Sequence, residues 1–161
     1  MNRYILDTGI LVGYVRGADF AKYCHETYDL SSPAHLVLTS IVTKGELLAL
    51  AEKRNWGSKK REIYNQKLNE FPSVDISSDQ VINAYARVKA WTEGSSPPSA
   101  PNFPPPAKPA KQMGQNDMWI AACAIASNST IITIDKDFDH LAKAGILERI
   151  WIDQSSKPNT A

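Results

Sequence analysis

Short β-favouring runs alternate with helix-patterned segments along the chain, and no Asn-Gly or Asp-Gly hairpin signal separates any two of the runs. Strands not joined by a tight turn need a longer crossover, and a helical crossover leaves them parallel. A parallel sheet must be covered on both faces, which the intervening helices do. The expected fold class is therefore α/β, a sandwich of about five mostly parallel strands flanked by helices.

The pattern is specific about where each element falls. Arg3 to Leu6 reads as a strand, and Thr8 to Arg16 as a helix with Ile10, Leu11, Tyr14 and Val15 at helical spacing before Gly17. Phe20 to Tyr28 is a second helix and His35 to Thr39 a buried strand. Ser40 is placed to cap a helix from Ile41 to about Arg54, with Ile41, Val42, Leu47, Leu48 and Leu50 as its apolar side. A basic helix starts at Ser58, Val74 to Ile76 is a short strand, and Ser78 caps a helix over Gln80 to Trp91. Asn116 is expected to cap Asp117 to Ala126. Thr130 to Ile134, a helix over Lys136 to Ala144, and a strand over Arg149 to Ile152 complete the order.

A chain of 161 residues fits one domain, set here at residues 1–153 with a tail over 154–161. The segment 94–111 interrupts it, holding seven of the ten prolines, so it is expected to be a long exposed loop without helix or core. No apolar run approaches the length of a membrane span and no signal-peptide core precedes Asp7, so a cytoplasmic protein without membrane contact is expected. Cys24 and Cys123 lack metal-ligand spacing, and His25, His35 and His140 are scattered, which argues against a zinc site.

Four carboxylates stand out by position. Asp7 follows the first strand and Asp135 the Thr130 to Ile134 strand, so both fall at carboxyl ends of strands, where open α/β sheets hold ligands. Asp117 lies in the first turn of its helix, and Glu46 lies about a turn and a half into the helix after the second strand. Each alone is an ordinary cap or surface residue. Together they would repel by roughly 4 kcal/mol per pair at about 4 Å and a dielectric of about 20, a cost a bound cation removes. Oxygen ligands without His or Cys suit magnesium or manganese. If five of the 17 acids, with Asp137 included, gather in one place, the rest of the chain, with 18 Lys and Arg, is net basic. An acidic metal pocket in a basic surround suits a polyanionic substrate.

The runs Tyr-Ile-Leu-Asp7-Thr8-Gly, Thr39-Ser40-Ile-Val-Thr-Lys-Gly-Glu46, Asn116-Asp117-Met-Trp-Ile-Ala-Ala and Ile-Thr133-Ile-Asp135-Lys-Asp137-Phe138 resemble a PIN domain. More narrowly they are similar to the VapC-type toxin ribonucleases of bacterial toxin–antitoxin pairs. That resemblance implies a metal-dependent endoribonuclease, usually a homodimer, blocked by a cognate antitoxin. It puts the catalytic and metal-binding quartet on Asp7, Glu46, Asp117 and Asp135, with Asp137 as auxiliary. It further implies that Thr8, Ser40, Asn116 and Thr133 orient ligands or water. Lys44, Lys53, Arg54, Lys59, Lys60 and Arg61 follow Glu46 along the chain and form a candidate RNA-binding rim, joined by Lys108 and Lys111 from the loop. Trp56 is a candidate base-stacking residue. A phosphatase of the haloacid dehalogenase type also attacks from an Asp after the first strand, but it needs a second Asp at position 9, where this chain has Gly. A PIN-fold nuclease outside such a pair, or a non-catalytic interaction module, are the remaining alternatives.

Overall fold

The computed structural model describes residues 1–106 and 108–159. Position 107 of the proline-rich segment and the last two residues of the expected tail, 160 and 161, lie outside the described residues. Five strands, β1 (Asn2–Leu6), β2 (His35–Ser40), β3 (Ser73–Val74), β4 (Thr130–Thr133) and β5 (Arg149–Trp151), form one sheet in the order β3-β2-β1-β4-β5. Every neighbouring pair is parallel. Among the described residues, seven helices connect or flank them: α1 (Thr8–Arg16), α2 (Asp19–Thr27), α3 (Ile41–Lys53), α4 (Ser58–Glu70), α5 (Asp79–Thr92), α6 (Gln115–Ala126) and α7 (Asp139–Lys143).

Alternation along each inner strand divides the core in two. Tyr4 and Leu6 of β1, Val37 of β2 and Ile132 of β4 pack with α1, α2, α4 and the Leu47–Ala51 side of α3. Ile5, Leu38 and Ile131 point to the opposite face and pack with α5, α6 and α7. Because successive strand residues face opposite ways, one apolar run supplies both cores. Asn2 pairs with His35 and Tyr4 with Thr130, so β1 has a strand on each side and carries its end into the middle of the sheet edge. No helix among the described residues is long and apolar enough to cross a membrane.

Several expected local details differ. Asn116 does not cap α6; Gly114 occupies that position, and Asn116 lies inside the helix. The expected helix from Lys136 shortens to Asp139–Lys143, because Asp135 Oδ1 accepts from Asp137 N–H at 2.9 Å and holds residues 135–137 in a turn. The apolar side expected for α3 is divided: Leu47 is fully buried, whereas Ile41 and Leu48 are exposed, and Thr43 and Ala51 are buried instead. Trp56 is also buried in the α1–α4 core and unavailable to stack on a base.

The proline-rich loop is anchored rather than free. The Trp91 indole N–H donates to the Pro104 carbonyl at 2.6 Å, Arg87 Nε donates to the Ser99 hydroxyl at 3.1 Å, and Lys111 N–H donates to the Thr92 carbonyl. Pro97 is buried and Phe103 packs against the α5–α6 core. Prolines offer no amide donors, so the loop is tied at a few points: the Pro104 carbonyl, the Ser99 hydroxyl, the Lys111 amide and the Phe103 ring.

Candidate active site

Asp7 ends β1 and caps α1: its amide donates to the Ile132 carbonyl of β4, and its Oδ1 accepts from Thr8 N–H at 2.7 Å. Its other oxygen, Oδ2, accepts from the Thr133 hydroxyl at 2.6 Å. The same hydroxyl accepts from Asp135 N–H at 2.9 Å, so one threonine at the end of β4 ties the first and last acids of the quartet together.

Glu46 is held from two sides. Its Oε2 accepts from the Thr8 hydroxyl, and its Oε1 accepts from Asn116 Nδ2 at 2.9 Å. Thr8 spends its proton on Glu46, so the 3.2 Å contact between the Thr8 and Thr43 hydroxyls has Thr43 as donor. Thr43 was not singled out from the sequence. It lies three residues before Glu46 and so on the same stretch of α3 surface, a spacing that carries the signal. Ser40 has other partners. Its hydroxyl accepts from Val42 N–H as the α3 cap and lies 3.4 Å from Cys123 Sγ.

Negative charge is concentrated here. Burial pushes the Asp7 carboxyl up from the ordinary 3.8 to about 6; Glu46 and Asp135 add to the rise, and the bonds from Thr133 and Thr8 oppose it. Burial, followed by Asp7, Asp135, Asp137 and Glu46, pushes Asp117 up to about 7. The other four expected acids thus all act on Asp117, and Glu46 and Asp135 act on Asp7. Among the described residues, however, no three His, Cys, Asp or Glu side chains are arranged to hold one ion as they stand. The donor set is all oxygen, which fits a hard divalent cation.

The expected basic rim separates into two kinds of residue. Arg61 is engaged: Nε donates to the Trp56 carbonyl at 3.0 Å, Nη2 to the Ala51 carbonyl at 3.4 Å, and Nη1 pairs with Glu52 at 3.1 Å. It closes the α3–α4 corner. Lys53, Arg54, Lys59 and Lys60 are exposed, and Lys44 is half-buried. Lys53 lies seven residues past Glu46, about 10 Å along the helix axis.

The PIN domain family model matches residues 4–144. This chain belongs to the PIN domain family. Solved structures agree on the fold: VapBC2 from Rickettsia felis bound to a promoter DNA fragment (TM-score 0.73, 20% identity, 94% of this chain and 99% of that one) and VapBC-1 from nontypeable Haemophilus influenzae (0.70, 19%, 92% and 97%). VapBC-5 from Mycobacterium tuberculosis is similar at a TM-score of 0.59 and 22% identity, covering 94% of this chain and 99% of that one. No curated protein matches by sequence. In this PIN domain the four acids come from the end of β1, the middle of α3, the first turn of α6 and the loop after β4, so only the folded sheet brings them to one edge.

Proposed function

We propose that this PIN domain is a magnesium- or manganese-dependent endoribonuclease, the toxin of a toxin–antitoxin pair, acting on cytoplasmic RNA. The reading rests on one observation above the others: Asp117, from the first turn of α6, feels the charges of Asp7, Glu46, Asp135 and Asp137, which come from three other places along the chain, and the Thr133 hydroxyl ties Asp7 to Asp135. A divalent ion held among these oxygens supplies an acidified water and stabilises charge on the phosphodiester.

The chain's own groups have distinct parts. The Thr133 hydroxyl and the Thr8 N–H hold Asp7 at both oxygens and fix the orientation of its carboxylate. Asp117 and Asp135 complete the ligand set, with Asp137 beside them. Glu46, oriented by Thr8 and Asn116, ligates the ion or accepts the proton of the attacking water. Lys53, Arg54, Lys59 and Lys60 draw the RNA backbone towards a pocket that would otherwise repel it.

The similar structures contain VapBC complexes, which supports an antitoxin as partner of this chain. A homodimer is the further partner that likeness to this family implies. Residues 1–153 are taken as one domain with the 94–111 loop as an insert and 154–161 as a tail. The test is direct: protein freed of any antitoxin is incubated with total cellular RNA and either metal. Cleavage that EDTA stops and that Asp7→Asn removes is the expected result. RNA left intact by the wild type with both metals ends the nuclease reading.

A further inference from the structure

Two helices, α4 and α6, begin on a glycine, Gly57 and Gly114, and neither has a side-chain cap. Ser, Thr, Asp and Asn are the favoured residues at that position. Backbone geometry does not demand glycine at either: φ and ψ are −69° and 171° at Gly57 and −60° and 144° at Gly114, extended values open to any residue. What differs is the space above the α-carbon. A Cβ at position 57 would meet nothing within 4 Å. At position 114 it would stand 3.0 Å from Oδ2 and 3.7 Å from Cγ of Asp117.

Asp117 is three residues beyond the cap, from which an acidic side chain folds back over the helix start. Its carboxylate therefore lies in close contact with the place a Cβ on residue 114 would take. Asp7, Glu46, Asp135 and Asp137 all lie near enough to act on its charge. A Cβ on residue 114 would crowd the carboxylate at 3.0 Å, tighter than an ordinary van der Waals contact, so the carboxylate would have to give by a few tenths of an ångström from its place in that group.

We propose that Gly114 is a positioning residue for the metal site, kept free of a side chain so that the Asp117 carboxylate can lie over it. The inference rests on the metal-dependent reading above. Helix capping at this position is given up in exchange for the placement of one ligand.

The test compares Gly114→Ala and Gly114→Ser with Gly57→Ser in the full chain. Metal-free crystal structures report the position of Asp117, calorimetric titration with Mn2+ reports affinity, and thermal melting of the metal-free protein reports the fold. Both position-114 variants are expected to displace the Asp117 carboxylate and to weaken Mn2+ binding roughly 10-fold, as loss of a ligand-orienting residue does. Gly114→Ser should melt at or above the wild-type temperature, since it gains a cap and loses chain entropy when unfolded. Gly57→Ser should leave Mn2+ affinity unchanged. Asp117 found in its original place in both variants, or Mn2+ affinity unchanged despite displacement, would overturn the proposal, as would an equal loss in Gly57→Ser. Absence of Mn2+ binding by the wild type would instead sink the metal reading, leaving the structures to decide whether Gly114 positions Asp117.

Discussion

The Thr133 hydroxyl donates to Oδ2 of Asp7 across 2.6 Å, joining residues 126 positions apart at the ends of adjacent parallel strands. Both are buried, so this bond is shielded from competing water.

Replacing Thr133 with Val keeps the shape and removes the donor. The Asp7 carboxyl should titrate at higher pH, since the bond now opposes the rise that burial causes. Stability above pH 7 should fall by roughly 1–3 kcal/mol, the cost of leaving a buried acceptor unpaired. Carbon-detected NMR titration and urea unfolding check the two parts; an unshifted Asp7 would show that Thr133 does not act on its ionisation.

The acids of the site should work against the fold. Asp7 and Asp117 have carboxyls raised to about 6 and about 7 in the folded protein, against 3.8 ordinarily. Between those values the folded state binds more protons than the unfolded one, so stability falls as pH rises from about 4 to about 7. Metal-free melting temperatures should therefore decline across that range. Mn2+ or Mg2+ should raise them by an amount that grows with pH, because binding requires ionised carboxylates. A metal-induced rise that is the same at pH 5 and pH 8 would contradict this.

Asp117→Asn should separate stability from activity. At pH 8 the metal-free variant should melt above the wild type, and the gap should narrow towards pH 5, where the native carboxyl is already neutral. RNA cleavage should fall about 100-fold or more, beyond the usual range for a residue that only orients a ligand. Melting curves at the two pH values, with cleavage measured in Mn2+, test both halves.

The basic stretch after α3 should divide by role. Arg61→Ala should cost about 1–2 kcal/mol by removing its bonds to the Trp56 and Ala51 carbonyls. Lys59→Ala with Lys60→Ala should leave unfolding unchanged while lowering RNA affinity. The salt dependence of binding should flatten by about 0.7 for each single-strand phosphate that these lysines neutralise. Denaturant curves beside fluorescence-anisotropy binding across salt distinguish the two roles. An unaltered salt slope would remove the two lysines from the interface.

Legibility in the sequence followed the range of the interactions. Thr8 to Arg16 was readable as a helix to the residue because its apolar spacing and Gly17, with φ of 66°, are local signals. Ser40 and Ser78 were readable as caps for the same reason, each bonding an amide two or three residues away. Asn116 looked like a cap by the same logic, but Glu46 lies 70 residues away in the chain and takes its amide group. Trp56 and Arg61 looked available beside lysines on a polar stretch, yet the α3–α4 corner folds Trp56 inward and ties Arg61 to helix carbonyls.

Local chemistry alone determined the order and type of the elements and put an acid after β1 and after β4, since periodicity and caps act over a few residues. The tertiary structure decided that β1 and β4 are neighbours in the order β3-β2-β1-β4-β5, and so that Thr133 bridges Asp7 and Asp135. It also decided that Glu46 is clamped between α1 and α6, and that Asp117 lies over a bare glycine. Strand order and side-chain partners come from burying two apolar faces at once, a condition on the whole chain that no local stretch encodes.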